Sequence, residues 1–400
     1  MARQIVVGID IGTSTVKVII AEGFLEHGHV IPKIIGTGSA ESKGVYRGYI
    51  INPTETARSV KIAVMRAEKM AGVKVRRAYI SFNGIGLESV TTNGSVIISR
   101  ADLEITERDL TLALETAETT IPPNTLINKR IINIVPIEYK IDGKTVWGQA
   151  LGLKAQKLEV KALFITCLEH HLALLISTVE AAGVEVIDVV AAPVAASFVT
   201  LSKKQKRVGC ILADIGAETL SIVVFENNNL ISLKVFPVGG EDITNDIALG
   251  LKISLEEAEN VKLDIGRRVS YSKKKLEEIV SARLCYCFEL IETHLKSIGR
   301  DALLPGGSVL TGGSSLISGI KNIAEHSLKL PSQVAEIHFG TVMEGRIKDH
   351  AWAVACGLSI VGFNADDEQR SIGIRNGSLI ADGGRRWGKI FLRWISQILP

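Results

Sequence analysis

Near the start of the chain, two apolar stretches flank a short polar segment, which predicts two β-strands joined by a tight turn. The apolar pattern breaks where a carboxylate, a glycine and three hydroxyl groups arrive together, followed by a lysine on the second strand. These residues are Asp10, Gly12, Thr13, Ser14, Thr15 and Lys17. A glycine lets backbone N–H groups approach an anion, and hydroxyl groups add donors. Asp10 is placed to hold a hydrated cation and Lys17 to offset phosphate charge, although a polar hairpin tip is more often only a turn.

A second copy of this pattern appears about half the chain later, at residues 210–224. It repeats an apolar strand, the motif Asp-Ile-Gly-x-x-Thr and another apolar strand, with Asp214, Gly216 and Thr219 at the polar positions. Two such hairpins facing each other would grip one polyphosphate from both sides. The repeat therefore predicts a duplicated, two-lobed nucleotide-binding protein.

Signals for helix ends punctuate the rest of the chain. Thr54 is placed to cap a helix that runs to about residue 71, and Thr106 with Asp109 forms a predicted capping box. A further helix is predicted to begin at Leu316, after a strand and a Thr-Gly-Gly turn. Two helices rich in small residues, at 191–197 and 351–358, occupy equivalent places after the hairpins. We expect them to cross between the lobes and form a hinge.

Between residues 84 and 161 the pattern changes to a Ser/Thr-rich strand, a helix and two strands around a polar hairpin. This predicts a small α+β insert in the first lobe. His170 and His171 are adjacent, and neighbouring helix positions diverge by roughly 100 degrees, so they are poorly placed to share a metal ion. A solvated helix start is predicted for them. The basic run at residues 203–207 is predicted to be a solvated loop rather than a nucleic-acid site.

Composition limits the possible classes of protein. The chain has 400 residues, 46% of them hydrophobic, enough to bury a core in two lobes rather than one. Aromatic residues make up only 5%, which disfavours nucleic-acid recognition by stacking. The five cysteines show no metal-ligand spacing and are expected to be reduced and mostly buried. No signal peptide and no apolar run of roughly 20 residues is evident, so we expect a soluble or peripheral protein.

Several segments together resemble the superfamily of actin, sugar-kinase and heat-shock-chaperone ATPases, and within it the FtsA family of bacterial cell-division proteins. The segments are the two hairpins, the two small-residue helices, residues 238–244, 258–262 and 309–313, and the insert after Phe82. The resemblance extends over essentially the whole chain. It implies an α/β, actin-like ATPase fold with two duplicated lobes around a nucleotide cleft, a small α+β insert in the first lobe and a C-terminal amphipathic helix.

The resemblance also implies a division of the chain into units. The first lobe would comprise residues 1–83 and 162–207, and the insert residues 84–161. The second lobe would comprise residues 208–238 and 305–363, and residues 239–304 would form its subdomain with the site for the FtsZ tail. Residues 364–384 would be a linker, and residues 385–400 a membrane-targeting helix.

The resemblance assigns ATP and Mg²⁺ to the cleft. Mg²⁺ would be held through water by Asp10 and Asp214, and Glu259 and Lys262 would reach the ribose and base. The implied nucleotide-binding residues are Asp10, Gly12, Thr13, Ser14, Thr15, Lys17, Asp214, Gly216, Ala217, Thr219, Gly239, Gly240, Glu259, Lys262, Gly312, Gly313 and Ser314.

As an FtsA-like protein, the chain would polymerise and anchor the FtsZ ring to the cytoplasmic face of the bacterial inner membrane at the division septum. Its partners would be the FtsZ C-terminal tail, further copies of itself, later division proteins through the insert, and anionic lipids. Lys273, Lys274, Lys275 and Arg283 make the tail-binding segment basic, which would suit an acidic tail. A solvated charged face is an equal alternative for these four residues.

Two positions depart from the family pattern. Glu218 lies in the second loop, where a carboxylate near a terminal phosphate would repel it unless the side chain turns away or a metal screens it. Ala192 stands where relatives that hydrolyse ATP, such as MreB, carry a glutamate that orients water. We therefore expect weak or absent ATPase activity, with no catalytic residue, and nucleotide acting as a structural switch.

The end of the chain has an independent signal. Apolar residues recur at the spacing of one helical face, while every charge is basic and lies on or extends the opposite face. The residues are Arg385, Arg386, Trp387, Lys389, Ile390, Phe391, Arg393, Trp394, Ile395 and Ile398. Two tryptophans, large aliphatic residues and only basic charges are typical of an interfacial membrane helix. The alternative is a docking helix packed on the protein's own core.

Other members of the superfamily offer competing interpretations. A PilM-like adaptor of a membrane assembly machine would share the insert but lack the amphipathic tail. A sugar or acid kinase would need a catalytic aspartate in a substrate cleft, and none is identifiable. A chaperone would need a peptide-binding domain, for which too little chain follows residue 358.

Overall fold

The computed structural model describes residues 4–26, 29–146, 148–263, 271–339 and 349–371. The strands are β1 (Gln4–Ile11), β2 (Thr15–Glu26), β3 (His29–Glu41), β4 (Val45–Tyr46), β5 (Tyr49–Ile50), β6 (Arg77–Phe82), β7 (Glu88–Ile97), β8 (Lys129–Ile141), β9 (Lys144–Val146), β10 (Lys157–Leu168), β11 (Glu185–Ala191), β12 (Cys210–Ile215), β13 (Leu220–Glu226), β14 (Asn229–Phe236), β15 (Ser308–Thr311) and β16 (Ser332–Val334).

The α-helices connect and cover these strands. They are α1 (Pro53–Ala71), α2 (Glu107–Thr119), α3 (Glu169–Ala181), α4 (Ala192–Thr200), α5 (Lys203–Val208), α6 (Gly240–Leu251), α7 (Leu255–Leu263), α8 (Lys273–Ser297), α9 (Ile320–Leu328) and α10 (Ala353–Ser371). Short 3₁₀ turns lie at Pro123–Thr125, Gly313–Leu316 and His350–Trp352.

The first lobe is built on a five-stranded sheet with the order β11-β6-β1-β2-β3. β1 and β2 form an antiparallel hairpin in which Asp10 is paired with Lys17, and β6 joins β1 in parallel. β1 is buried almost throughout, as expected for its unbroken apolar run. Helix α1 packs on β2 and β3, and α10 packs on β1, β2 and β6.

The second lobe repeats this arrangement. β12 and β13 form an antiparallel hairpin in which Asp214 is paired with Ser221, the position equivalent to Lys17, and β15 joins β12 in parallel. The predicted duplication is confirmed down to the register of the two hairpins. The duplicated hairpins give an actin-like arrangement of two lobes, in which each hairpin lies at one edge of a shared cleft.

The insert has a hydrophobic core of its own. Helix α2 covers the antiparallel strands β7, β10 and β8, and the core includes Leu114, Leu158 and Phe164. β7 also pairs with β14, at Glu88 and Lys234, so that a nine-stranded sheet runs from the second lobe into the insert. The insert is therefore joined to both lobes, to the first through the chain and to the second through this sheet.

The two small-residue helices, α4 and α10, pack directly against each other. The hinge expected at this crossing stays a prediction. Their contact is so close that a Cβ atom on Gly357 would overlap the carbonyl oxygen of Ala195. α4 also packs on β11 of the first lobe and on β12 and β13 of the second. Small residues at this crossing are thus required by the distance between the backbones.

Helix boundaries differ from the predictions at two places. The predicted cap Thr54 is wrong: Asn52 is the N-cap and accepts a hydrogen bond from the Glu55 N–H at 3.2 Å, because Pro53 takes the first helical position. No α-helix begins at Leu316, which ends a 3₁₀ turn; α9 begins after Gly319, whose φ of +81° interrupts the helical path. The capping box at Thr106 and Asp109 is confirmed.

Two polar segments predicted to be solvated are partly buried. Residues 203–208 form helix α5, and Lys206 is only 4% exposed, with its Nζ 4.7 Å from the ring centroid of Phe198 and 4.8 Å from that of Phe225. The His171 ring stacks on Tyr49 at 3.7 Å between centroids. In both cases an amphipathic side chain in a short polar run contacts aromatic rings of other secondary-structure elements.

The cysteines agree with the expectation from composition. All five cysteines are free thiols, and four of them are buried. Within the part of the chain that the structure describes, no group of histidine, cysteine and acidic side chains is arranged to hold a metal by itself. No helix in those same ranges has the length and apolarity to cross a bilayer.

Candidate nucleotide site

The turns of the two hairpins face each other across a cavity of about 780 Å³ between the lobes. All the residues predicted to bind nucleotide line this cavity except Gly239. Gly239 lies beneath the second loop, where a Cβ atom would overlap the Ala217 carbonyl oxygen. The structure thus brings together residues from four separate segments of the chain. From the residue pattern alone, only the two hairpin loops could be matched to each other.

The two loops have the same hydrogen-bonded turn. The Gly12 N–H donates to the Thr15 carbonyl at 3.2 Å, and the Gly216 N–H donates to the Thr219 carbonyl at 2.8 Å. Both turns place threonines at the cavity, Thr13 and Thr15 from the first lobe and Thr219 from the second. The arrangement can offer hydroxyl and backbone donors to an anion from both sides.

Two carboxylates, Asp10 and Asp214, lie at the floor of the cavity and are 7% and 8% exposed. Asp10 accepts a hydrogen bond from the Ser81 hydroxyl at 2.8 Å. Burial raises the pKa of Asp10, against the lowering effects of Lys17 and Ser81. Burial, together with the Asp10 charge, raises the pKa of Asp214 to about 7, and Lys17 offsets only part of this.

This acid pair provides a test of whether the cleft suits a magnesium–nucleotide complex. Two buried carboxylates with raised pKa values are poorly compensated by the cations that the protein supplies here. A divalent cation is the complement of such oxygen ligands, and Mg²⁺ typically keeps its waters while bound through one or two carboxylates and phosphates. The donor set therefore fits hydrated Mg²⁺ together with a polyphosphate.

Glu259 and Lys262 form the wall of the cavity on the side of α7. The Lys262 ammonium lies 2.6 Å from a Glu259 carboxylate oxygen, donates to the Thr244 hydroxyl at 2.9 Å and contacts the Gly240 carbonyl at 3.2 Å. Burial acts to raise the pKa of Glu259, but the hydrogen bonds from Lys262 and Thr244 outweigh it and lower the pKa. This network fixes α7 against the start of α6.

The late glycine turn closes the cavity from below. The Ser314 hydroxyl donates to the Gly216 carbonyl at 3.3 Å, which ties the turn to the second loop. A Cβ atom on Gly240 would overlap this Ser314 hydroxyl, so a side chain there would separate α6 from the turn. A Cβ atom on Gly313 would meet nothing within 4 Å, which leaves its backbone open to the cavity.

The carboxylate of Glu218 turns away from the cavity. It accepts a hydrogen bond from the Arg47 N–H, in the turn between β4 and β5 of the first lobe, and Glu218 is absent from the residues that line the cavity. Of the two outcomes considered for Glu218, the side chain takes the one that spares a phosphate. Ala192 is buried at the start of α4, and its methyl group offers nothing that could orient water.

Sequence reasoning missed several residues of the cavity. Asn83 and Glu241 line it, as do the 3₁₀ turn before α10 and the residue that caps this turn, Asp349, His350, Ala351 and Trp352. Asn83 follows β6, whose carboxyl end lies beside that of β1. Ligand sites tend to form at the carboxyl ends of parallel strands, and this tendency could have identified Asn83 as a candidate. The turn carries no motif that marks it.

The basic residues predicted to bind the FtsZ tail lie on α8. Arg283 is already paired with Asp246, with two contacts of 2.6 and 2.9 Å, whereas Lys273 lies 3.7 Å from Glu277 with both side chains largely exposed. The binding role of these residues stays a prediction, with Arg283 the least available of them. Residues 372–400, which include the predicted membrane helix at 385–400 and most of the linker, lie outside the described residues.

Comparisons with known proteins define the family. The family model "Cell division protein FtsA" matches residues 211–357, and the model "SHS2 domain inserted in FTSA" matches residues 84–166. The cell-division protein FtsA of Bacillus subtilis is 31% identical over 397 residues, covering 93% of this chain and 87% of the relative. The chain belongs to the FtsA family. FtsA of Pseudomonas aeruginosa is 26% identical over 404 residues, covering 95% and 94% of the two chains.

Membership of the FtsA family makes this an actin-like cell-division protein, as predicted, and the second family model confirms the insert. Solved structures agree on the fold. The "PilM-PilN type IV pilus biogenesis complex" has a TM-score of 0.66 at 17% identity, covering 89% of this chain and 98% of the other. Spiroplasma citri MreB5 bound to ADP has a TM-score of 0.53 at 13% identity, covering 93% and 99%.

Proposed function

We propose that this protein binds ATP with Mg²⁺ in the cleft, polymerises, and anchors the FtsZ ring to the cytoplasmic face of the inner membrane. The observation that carries the nucleotide part is the buried pair Asp10 and Asp214 between two identical glycine turns. Mg²⁺ would compensate the two carboxylates and thereby neutralise charge on the phosphates.

The residues of the cleft would divide the work of holding ATP. Thr13, Ser14, Thr15 and Thr219 would donate hydrogen bonds to phosphate oxygens, and Lys17 would offset their charge. On the other side of the cavity, Glu259 and Lys262 would hold the ribose and base between α7 and the late glycine turn. Ala192, which stands where relatives that hydrolyse ATP carry a glutamate, supports weak or absent ATPase activity.

Attachment to the membrane would come from residues 385–400. Six apolar residues at helical spacing and only basic charges support an interfacial helix that inserts into anionic lipid. The FtsZ tail would bind the segment with Lys273, Lys274 and Lys275, and later division proteins would bind the insert. The filament would present many weakly bound helices at once, and this multivalency strengthens attachment.

Co-sedimentation with anionic liposomes tests the anchor. We expect the full chain to pellet with the liposomes and a chain truncated after Gly384 to stay in the supernatant. Trp394→Glu should release the chain, because it places a charge on the apolar face. Ser396→Glu is the matched control, since it adds the same charge on the opposite face of the same helix and should release much less.

If the full and truncated chains both remain in the supernatant, the tail is not an anchor. The better interpretation is then that the protein is an adaptor of a membrane assembly machine, comparable to PilM. Equal release by the two glutamate variants would show attraction by charge alone, without insertion of an apolar face.

A further inference from the structure

Asn83 connects the two lobes at the edge of the cavity. It follows β6 of the first lobe, and its side chain contacts two hydroxyl groups of the second lobe. The Asn83 Nδ2 donates to the Thr219 Oγ1 at 3.0 Å, and the Ser221 Oγ donates to the Asn83 Oδ1 at 3.1 Å. Ser221 is fully buried, so its hydroxyl has no bulk water as an alternative partner, whereas Thr219 is 2% exposed and lines the cavity.

The direction of these hydrogen bonds follows from counting protons. A hydroxyl group has one proton, and an amide has a donor end and an acceptor end. In the direction given, the Ser221 proton goes to Asn83, and an Asn83 proton goes to Thr219. With the amide reversed, the proton of buried Ser221 would face the Asn83 NH₂ group and lose the acceptor that it now has, which costs free energy. The arrangement therefore fixes the amide.

One proton remains, that of the Thr219 hydroxyl. Its oxygen already accepts from Asn83, so the hydroxyl is free to donate in another direction, and Thr219 lines the cavity. Thr219 also closes the turn of the second loop through its carbonyl, which holds the side chain in place. The hydroxyl is thus a donor prepared for an acceptor in the cavity.

We propose that Asn83 is a positioning residue for the second phosphate loop, turning the Thr219 hydroxyl proton towards a nucleotide phosphate oxygen. This inference rests on the proposed binding of ATP. Because Asn83 belongs to the first lobe and Thr219 to the second, the donor is set only while the lobes are together. Recognition of phosphate is thereby coupled to closure of the cleft. The second hairpin has Ser221 at the position that Lys17 occupies in the first hairpin.

Ser221 has a specific part in this relay. In the first hairpin the equivalent residue is Lys17, a cation that lines the cavity and would offset phosphate charge directly. In the second hairpin the short Ser221 hydroxyl instead reaches the side chain of Asn83 and holds its amide in one orientation. The duplicated loops therefore use their equivalent positions differently, one for charge and one for orientation.

A double-mutant cycle on the full chain tests the relay, with Mg·ATP binding measured by titration calorimetry. Asn83→Leu and Thr219→Val are close in shape to the native residues and uncharged. Each should weaken binding about 10-fold, and the double variant should bind within about two-fold of Thr219→Val alone, because Asn83 then has no hydroxyl to position. Asn83→Asp should bind more weakly than Asn83→Leu, since a carboxylate would take the Thr219 proton for itself.

A matched control separates positioning from loss of any distant contact with the second lobe. The Ser89 hydroxyl accepts from the Leu233 N–H at 2.9 Å and donates to the Leu233 carbonyl at 3.2 Å, which joins the insert to the second lobe outside the cavity. Ser89→Ala should leave the affinity for Mg·ATP unchanged. Thermal unfolding of each ligand-free variant shows whether a loss of affinity arises from loss of the fold.

The outcomes separate this inference from the proposed function. Losses that multiply in the double variant, or Asn83→Asp binding as tightly as the unaltered chain, would overturn the relay while ATP binding stands. An unaltered chain that fails to bind Mg·ATP would overturn the proposed nucleotide function, and the inference with it. Non-additive losses with an unaffected Ser89→Ala variant support the relay.

Discussion

The acid pair of the cleft makes the stability of the ligand-free protein depend on pH, and Asp214→Asn exposes this dependence. Burial and the nearby Asp10 charge raise the pKa of Asp214 from 3.8 to about 7. Ionising a buried carboxyl group with this pKa costs about 4 kcal/mol more in the folded than in the unfolded chain. Asparagine keeps the shape of the side chain and removes the charge.

The sign follows from linkage. Because the folded pKa is raised, the stability that the protonated carboxyl contributes is complete below pH 4 and is lost as pH rises to about 7. Between pH 5 and pH 8 the free energy of unfolding of the ligand-free chain should fall by about 3 kcal/mol through Asp214 alone. Asp214→Asn should lack this fall, so its free energy of unfolding at pH 8 should exceed that of the unaltered chain by about 2–4 kcal/mol.

Urea unfolding of the ligand-free chain at pH 5 and pH 8, followed by far-ultraviolet circular dichroism, measures the effect. Mg·ATP supplies the second half of the test. It should stabilise the unaltered chain at pH 8 by compensating the acid pair, and it should stabilise Asp214→Asn far less. If Asp214→Asn shows the same fall between pH 5 and pH 8 as the unaltered chain, the reasoning about the acid pair is refuted.

Three further substitutions have definite expected outcomes. Burial, and to a smaller extent the Glu218 carboxylate, raises the pKa of Glu241. The unaltered chain should therefore lose stability as pH rises through that pKa, and Glu241→Gln should remove this component of the pH dependence in the same urea titrations. Gly357→Val should lower the unfolding free energy by more than about 3 kcal/mol and reduce soluble expression, because its side chain would overlap the Ala195 carbonyl, and thermal melts near the unaltered value would contradict this. Burial lowers the pKa of Lys206 to about 8, so the free energy of unfolding should rise as pH rises through that pKa. Lys206→Met should stabilise the chain by about 1–3 kcal/mol at pH 6. A variant less stable than the unaltered chain would show that the contacts of the ammonium with the aromatic rings outweigh its desolvation.

Local pattern was sufficient for the parts of the fold that repeat. The two Asp-Ile-Gly-x-x-Thr hairpins could be located from their apolar stretches and the repeated motif alone, and their predicted opposition is what the cavity shows. The crossing of α4 and α10 was also predictable, because small residues in a helix interior indicate close packing. These features depend on residues near one another in the sequence or on an internal repeat.

The features that escaped prediction depend on contacts between distant segments. Nothing around Glu218 shows that the amide of Arg47, 171 residues away, would draw its carboxylate out of the cavity. Asn83 is one polar residue after a strand, and its part in the site depends on where the second lobe lies. Lys206 lies in a basic run that looks solvated, and only the packing of two phenylalanine rings around it removes it from water.

The central claim is that this FtsA-family protein connects FtsZ to the membrane, and one sedimentation measurement tests it most directly. FtsZ is mixed with anionic liposomes and Mg·ATP, with the full chain, with the chain truncated after Gly384, or alone. The account predicts that FtsZ pellets with liposomes only when the full chain is present, and that FtsZ without its C-terminal tail does not. FtsZ that stays in the supernatant beside a liposome-bound full chain would contradict the account.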